Sequence, residues 1–296
     1  GSYGQYTLVM ARAPPFRPPH SRALPDRNAR LILRIMKSAR YFQVDAFTHH
    51  LFSGNPAGVC LLEAWPEDAL LQKLAAEHNL SETAFLVPDR DGYHLRWFTP
   101  KVEVDLCGHA TLASAHIVFT VLKSTATAVT FTTRSGSLTV RRSGELMVMD
   151  FPALPATPIA IPAGLAEGLG KTPREVLKSR DLLCIFDTED EVRALQPRMD
   201  LLVRQDALGI IASAPGQSAD IVSRFFAPKA GIPEDPVTGS AHCTLIPYWS
   251  KKLGKKELLA NQVSSRGGEL YCTDRGDRVL LAGYAITYME GKVRLG

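Results

Sequence analysis

The chain has 296 residues, 45% hydrophobic and 22% charged, which excludes disordered and fibrous classes and leaves room for one large domain or two average ones. Its net charge of +4 is concentrated at one end: residues 1–40 hold eight Lys/Arg and one Asp, so the remainder carries 26 basic against 29 acidic residues. A near-neutral body excludes a nucleic-acid partner, and no apolar run approaches the roughly 18 residues of a membrane-spanning helix.

Residues 1–40 open on Gly-Ser and are rich in Arg and Pro without apolar periodicity, so they read as a tag, upstream sequence or flexible tail. An Arg-rich, acid-poor transit peptide fits the same composition, and Met36 is a plausible natural start. Five cysteines follow (Cys60, Cys107, Cys184, Cys243 and Cys272), odd in number and scattered, which points to a reducing cytoplasm. His49-His50, Cys107-x-His109 and His242-Cys243 are isolated pairs, whereas zinc needs three or four convergent ligands, so no metal is expected.

The spacing predicts strands at 41–48 and 57–62, joined by a Gly54-Asn55-Pro56 turn. Residues 66–78 place Leu70, Leu71, Leu74 and Ala75 on one face and read as an amphipathic helix. Strands at 83–88 and 93–98 come next. "CGHATLASAHIVFTVL" is apolar on nearly every side, as in a helix buried all round. Alternating stretches at 128–133, 136–142 and 145–151 restore the β pattern. The Pro-rich run 151–164 is the candidate link between an N-terminal half, 41–152, and a C-terminal half, 153–296, with the last strand free to return to the first half.

A shift of 128 superposes "RWFTPKVEVDLCGHATLASA" (96–115) on "RFFAPKAGIPEDPVTGSAHC" (224–243) without a gap, which indicates an internal duplication. On that alignment Cys107 is the counterpart of Asp235, and the two copies face one another across a crevice. "GLAEGLGKT" (164–172) resembles a phosphate-binding loop but has Leu165 where the pattern requires Gly, so it reads as a short helix with its cap. No dinucleotide fingerprint and no nucleophile elbow occur.

Gly108-His109-Ala110-Thr111 and Thr238-Gly239-Ser240-Ala241 are small-residue helix starts, able to offer unpaired N–H groups to a carboxylate or phosphate, or simply to cap core helices. His109 is either a bonded core histidine or a neutral donor at such an end. Asp235 is either a helix-capping acid or a side chain that reaches into the crevice. Glu82 joins the end of a helix to an apolar strand, beside Ser81 and Thr83. It is either a solvated loop carboxylate or a desolvated one, whose raised pKa suits it to take a proton from carbon and return it.

The segments "GNPAGVCLL", "NLSETAF", "LRWFTPKVEVDLCGHATLASA", "RFFAPKAGIPEDPVTGSAH" and "SRGGEL" resemble, in order and spacing, the PhzF-like family named for phenazine biosynthesis, whose fold is similar to diaminopimelate epimerase. The resemblance runs from about residue 41 to the C-terminus. It implies an α+β fold of two pseudo-symmetric halves, each an antiparallel β-barrel-like sheet around a central helix, and often a homodimer. It further implies a cofactor-independent isomerase that moves a proton on a small anionic, carboxylate-bearing metabolite. Glu82 matches the family's acid/base glutamate; His109 and Asp235 match catalytic partners; Ser81, Gly108, Gly239 and Ser240 match substrate-contacting positions. Cys107 stands where related epimerases place one of two catalytic cysteines, and Asp235 replaces the other. Two further readings stay open: an epimerase with Cys107 and Asp235 as opposed acid and base, and a non-catalytic module that binds a small molecule or a protein.

Overall fold

Alternating hydrophobicity in the first half builds β1 (Ser38–Ala46), β2 (Asn55–Leu61), β3 (Glu82–Asp89), β4 (Gly92–Phe98), β5 (Glu103–Val104), β6 (Ala128–Thr133), β7 (Gly136–Ser143) and β8 (Leu146–Pro152). Helices α1 (Asp68–His78) and α2 (Gly108–Thr120) interrupt them. The computed structural model describes residues 38–296. For residues 1–37 the reading as tag or tail lies outside the described residues, while Ser38, Ala39 and Arg40 belong to β1.

The second half contributes β9 (Thr157–Ile159), β10 (Glu175–Lys178), β11 (Leu182–Ile185), β12 (Ile210–Pro215), β13 (Ile221–Ala227), β14 (Ile232–Asp235), β15 (Glu257–Gln262), β16 (Gly268–Asp274), β17 (Arg278–Gly283) and β18 (Ala285–Arg294). Its helices are α3 (Leu165–Leu169), α4 (Glu189–Arg193), α5 (Met199–Leu202) and α6 (Gly239–Leu253). Residues 164–172 are the short α3 closed by Gly170 in a left-handed conformation, not a phosphate loop.

Strand pairing repeats between the halves. β2 runs parallel to β3 as β11 does to β12, and β4 runs parallel to β6 as β13 does to β15. The remaining neighbours, β3 with β4 and β12 with β13, β6 with β7 and β15 with β16, are antiparallel in both. The halves are stitched twice: β8 pairs with β17, and β18 returns to pair with β1 along nine residue pairs. Ser38–Leu295 therefore forms one compact unit. This is a mixed α+β fold, mostly sheet. No helix among the described residues is long and apolar enough to cross a membrane.

Each half wraps its sheet on one helix. α2 is buried from His109 to Phe119 except at His116, as its lack of a polar face requires. α6 buries Leu245, Ile246 and Trp249 in the same large cluster. Each such apolar side chain contributes about 1.5–3 kcal/mol on leaving water. The outer faces are covered too, by α1 in the first half and by α3, α4 and α5 in the second. Strands buried on both faces explain why β11, "LLCI", is a continuous apolar run rather than an alternating one.

The repeat has one irregularity, which corrects the gapless alignment. Arg96 pairs with Glu103 seven residues on, and its counterpart Arg224 pairs with Glu234 ten residues on; each guanidinium also lies over a phenylalanine, Phe98 or Phe226. Three extra residues, accommodated by the Pro228–Ala230 3₁₀ turn and Gly231 at φ 77°, separate the copies at this point. The first residue of α2, Gly108, thus corresponds to Gly239, and the N-cap Cys107 to the N-cap Thr238. Asp235, at the end of β14, is not the counterpart of Cys107.

Candidate active site

The two central helices meet end to end. A Cβ built on Gly108 would lie 3.9 Å from the Gly239 Cα, and one on Gly239 the same distance from the Gly108 Cα. Neither N-cap side chain caps its helix: Thr238 instead donates its hydroxyl to Asp235. The first-turn N–H groups at both ends are thus left without a side-chain cap, and the positive ends of two helix dipoles converge. A cavity of about 410 Å³ opens there, with Glu82, Cys107, Gly108 and His109 on one side and Asp235, Thr238, Gly239 and Ser240 on the other. Phe151, Leu154 and Phe225 supply an apolar wall.

Glu82 owes its place to strand periodicity. Asn79, in the left-handed region at φ 50°, ends α1, and β3 starts at Glu82 opposite Ala57 of β2. Side chains alternate from there, so Glu82, Ala84 and Leu86 share one face; Ala84 and Leu86 join the α2 core, while Phe85 joins the cluster under α1. Thr83 also faces away and pairs with His78 Nδ1 at 3.1 Å, so it does not support the Glu82 carboxylate. Ser81 is half-buried and does not line the cavity. The Glu82 side chain is 13% exposed. Burial pushes its pKa up to about 7, the charge of Asp235 adds to the rise, and a hydrogen bond with the Cys107 thiol pulls it partly back.

The other polar groups form a network around it. His109 Nδ1 lies 3.3 Å from Asn55 Nδ2, and Nε2 lies 3.3 Å from Glu82 Oε2 in a geometry that makes no hydrogen bond. The groups beside Nδ1, the Asn55 amide nitrogen and the Cys107 thiol at 3.5 Å, are both donors, so the ring proton is assigned to Nε2, a buried atom of this cavity-lining residue that has no hydrogen-bond partner among the described residues. Burial lowers the His109 pKa to about 3, so the ring is neutral. The two N–H groups of the Asn55 amide go to Asp235 Oδ1 and to the Val237 carbonyl, each at 2.8 Å. Gln262 grips the turn before α6 through Asp235 O and Thr238 N. The pKa of Asp235 rises to about 6 by burial, against the hydrogen bonds from Thr238 and Asn55 that favour its charge. Burial, then the charge of Glu82, lifts the Cys107 thiol well above its usual value, so it is protonated. Glu82, Cys107 and His109 each place a ligand atom within 4.8 Å of the others; a divalent ion taken there would have to displace the thiol proton.

"SRGGEL" acts at one remove. Arg266 donates to the Ser53 and Gly54 carbonyls and to the buried Asp45, holding the loop that delivers Asn55. In the sequence Asn55 is part of a turn, and nothing marks Gln262 or Arg180 as site residues. The only signal was polar character at or near a strand end, which surface positions share.

A duplicated sheet wound on two helices whose N-termini share a cavity defines the diaminopimelate epimerase-like class of fold. A predicted epimerase of Pseudomonas aeruginosa shares it at 19% identity with a TM-score of 0.66, covering 86% of this chain and 99% of that one. A family model described as phenazine biosynthesis-like protein matches residues 44–291, and the chain belongs to this PhzF family of isomerases. A Pseudomonas aeruginosa protein named as an uncharacterized isomerase is 50% identical over 256 residues, 86% of this chain and 98% of that protein. The crystal structure of a PhzF-family phenazine biosynthesis protein from Enterococcus faecalis matches at 43% identity and a TM-score of 0.85, over 87% of this chain and 99% of the other.

Proposed function

We propose that the protein is a cofactor-independent isomerase that moves one proton between carbons of a small carboxylate-bearing metabolite, with Glu82 as its single general acid/base. The observation that carries this is the Glu82 carboxyl itself: held near pKa 7 beside the meeting helix ends, it can both accept and return a proton at neutral pH. Ionised Glu82 takes the proton from a carbon adjacent to a π system. The electron pair left behind spreads toward the substrate's acidic or carbonyl group, where the helix ends and His109 Nε2–H stabilise the developing charge. Protonated Glu82 then delivers the proton to a second carbon, and the carboxylate is regenerated. Asp235, fixed by Asn55 and Thr238, orients the substrate from the opposite wall. The test is solvent deuterium incorporation into a turned-over ligand: Glu82→Gln abolishes it and leaves binding nearly intact, whereas equal incorporation in both proteins would reject the role.

In the epimerase reading Cys107 and Asp235 act as opposed acid and base. Cys107 favours it by position, since it touches the same cavity, but a thiol whose pKa lies well above its usual value is a poor base. Cys107→Ser retains activity under the first reading and loses it under the second. All five cysteines are free and buried, which supports a reducing cytoplasmic setting. We also place the boundary between the two halves at residues 152 and 153, where the strand pairing starts to repeat.

A further inference from the structure

The repeat that builds the site also identifies a residue in it whose role is unassigned. β2 meets the start of β3 at Ala57 opposite Glu82, and β11 meets the start of β12 at Leu182 opposite Ile210. Two residues earlier in each strand's approach stand Asn55 and Arg180. Asn55 contacts His109, the second residue of α2, and Arg180 donates from Nη2 to Ser240 Oγ at 3.0 Å, the second residue of α6. The first copy of this position serves the cavity, and the second is built in the same place.

Arg180 is the only Lys or Arg lining the cavity among the described residues. Its Nε and Nη2 edge is held by the Asp181 carboxylate, whose side chain is 1% exposed and which also accepts from the Gly209 N–H. That carboxylate lies outside the cavity lining, and Nη1 has no hydrogen-bond partner among the described residues. The Arg180 side chain is 44% exposed. The other titratable groups of the lining supply no such cation, since His109 is neutral and Glu82 and Asp235 are acids.

We propose that Arg180 is the residue that reads substrate charge: through Nη1 it pairs with the acidic group seated on the α6 N-terminus, so that the site selects a carboxylate over a neutral isostere and points the reacting carbon toward Glu82. This rests on the cavity being the site of a carboxylate-bearing substrate. A guanidinium anchored on one edge presents the other without losing much side-chain entropy, which suits it to charge-assisted recognition.

The probes are benzoate and benzamide, nearly equal in shape and different in charge, chosen for the apolar wall of Phe151, Leu154 and Phe225. Titration calorimetry on the full chain in low salt is expected to give the wild type a preference for benzoate of about tenfold or more. Arg180→Met removes that preference by weakening benzoate alone, and Arg180→Lys restores part of it. Should the buried Asp181, left without its partner, unfold that variant, the double variant Arg180→Met/Asp181→Asn keeps the site neutral and gives the same readout. An undiminished preference in the variants, an equal loss of both probes, or no preference in the wild type overturns the proposal. Binding is read without turnover, so this result stands apart from the deuterium test of Glu82.

Discussion

At the scale of single residues, the site keeps two acids in a place where charge is expensive. Glu82 has a folded pKa of about 7 against about 4.5 for a free glutamate, so the folded state binds its proton more tightly than the unfolded chain does. The associated stability is present below pH 4.5 and lost as the pH rises through 7. Glu82→Gln removes the cost: at pH 8 the variant is expected to be more stable than the wild type by about 1–3 kcal/mol, and near pH 4 the difference disappears. Urea unfolding at the two pH values measures it, and a variant less stable at pH 8 contradicts it. An enzyme that loses turnover while gaining stability shows that the residue is retained for chemistry.

At the scale of elements, α6 contains Pro247, which has no N–H to give to the carbonyl four residues before it. That carbonyl belongs to Cys243, and it accepts instead from the Leu154 N–H at 2.8 Å. The proline thus opens a bonding site for the Pro-rich segment after β8 and sets Leu154 in the cavity wall. In Pro247→Ala the helix regains its own bond and competes for Cys243 O, so faster hydrogen exchange at the Leu154 amide is expected; unchanged protection there would show that the contact is held by other forces. The sequence made long periodic elements legible, since β1 to β4, both faces of α1 and the all-round burial of α2 follow from spacing alone. The two glycine helix starts were legible from their small residues, and the roles expected of Glu82, His109 and Asp235 came through motif resemblance. The extra three residues before β14 were not, because Pro100-Lys101 and Pro228-Lys229 match without a gap and only the Arg224–Glu234 pair reveals the offset. Asn55 and Arg180 were hidden for a related reason: their partners lie 54 and 60 residues away in sequence.

At the scale of the whole molecule, the reciprocal stitches β8–β17 and β18–β1 make the cavity a joint property of both halves. Its stability against acid depends on three neutral imidazoles, the buried His109 with a pKa of about 3, the half-buried His116 at about 4 and the buried His242 at about 4. Each folded value lies below that of the unfolded chain, near 6.5, so their contribution is present above pH 6.5 and lost as the pH falls through 4 to 3, by about 2 kcal/mol per imidazole at pH 5. Glu82 and Asp235 oppose this, gaining stability over the same descent. His116 lies outside the cavity lining, so His116→Asn isolates the effect: the fall in melting temperature between pH 7 and pH 5 is expected to shrink, and an unchanged fall would exclude His116 from it.

The most direct measurement is a carbon-13 NMR titration of the Glu82 carboxyl, assigned by its disappearance in Glu82→Gln. The expected midpoint is near pH 7, moving down but staying above 4.5 in Asp235→Asn, because burial is the larger cause and the neighbouring charge the smaller. A midpoint near 4.5 in the wild type would mean that water reaches this carboxylate freely, and a proton shuttle at neutral pH could not be built on it.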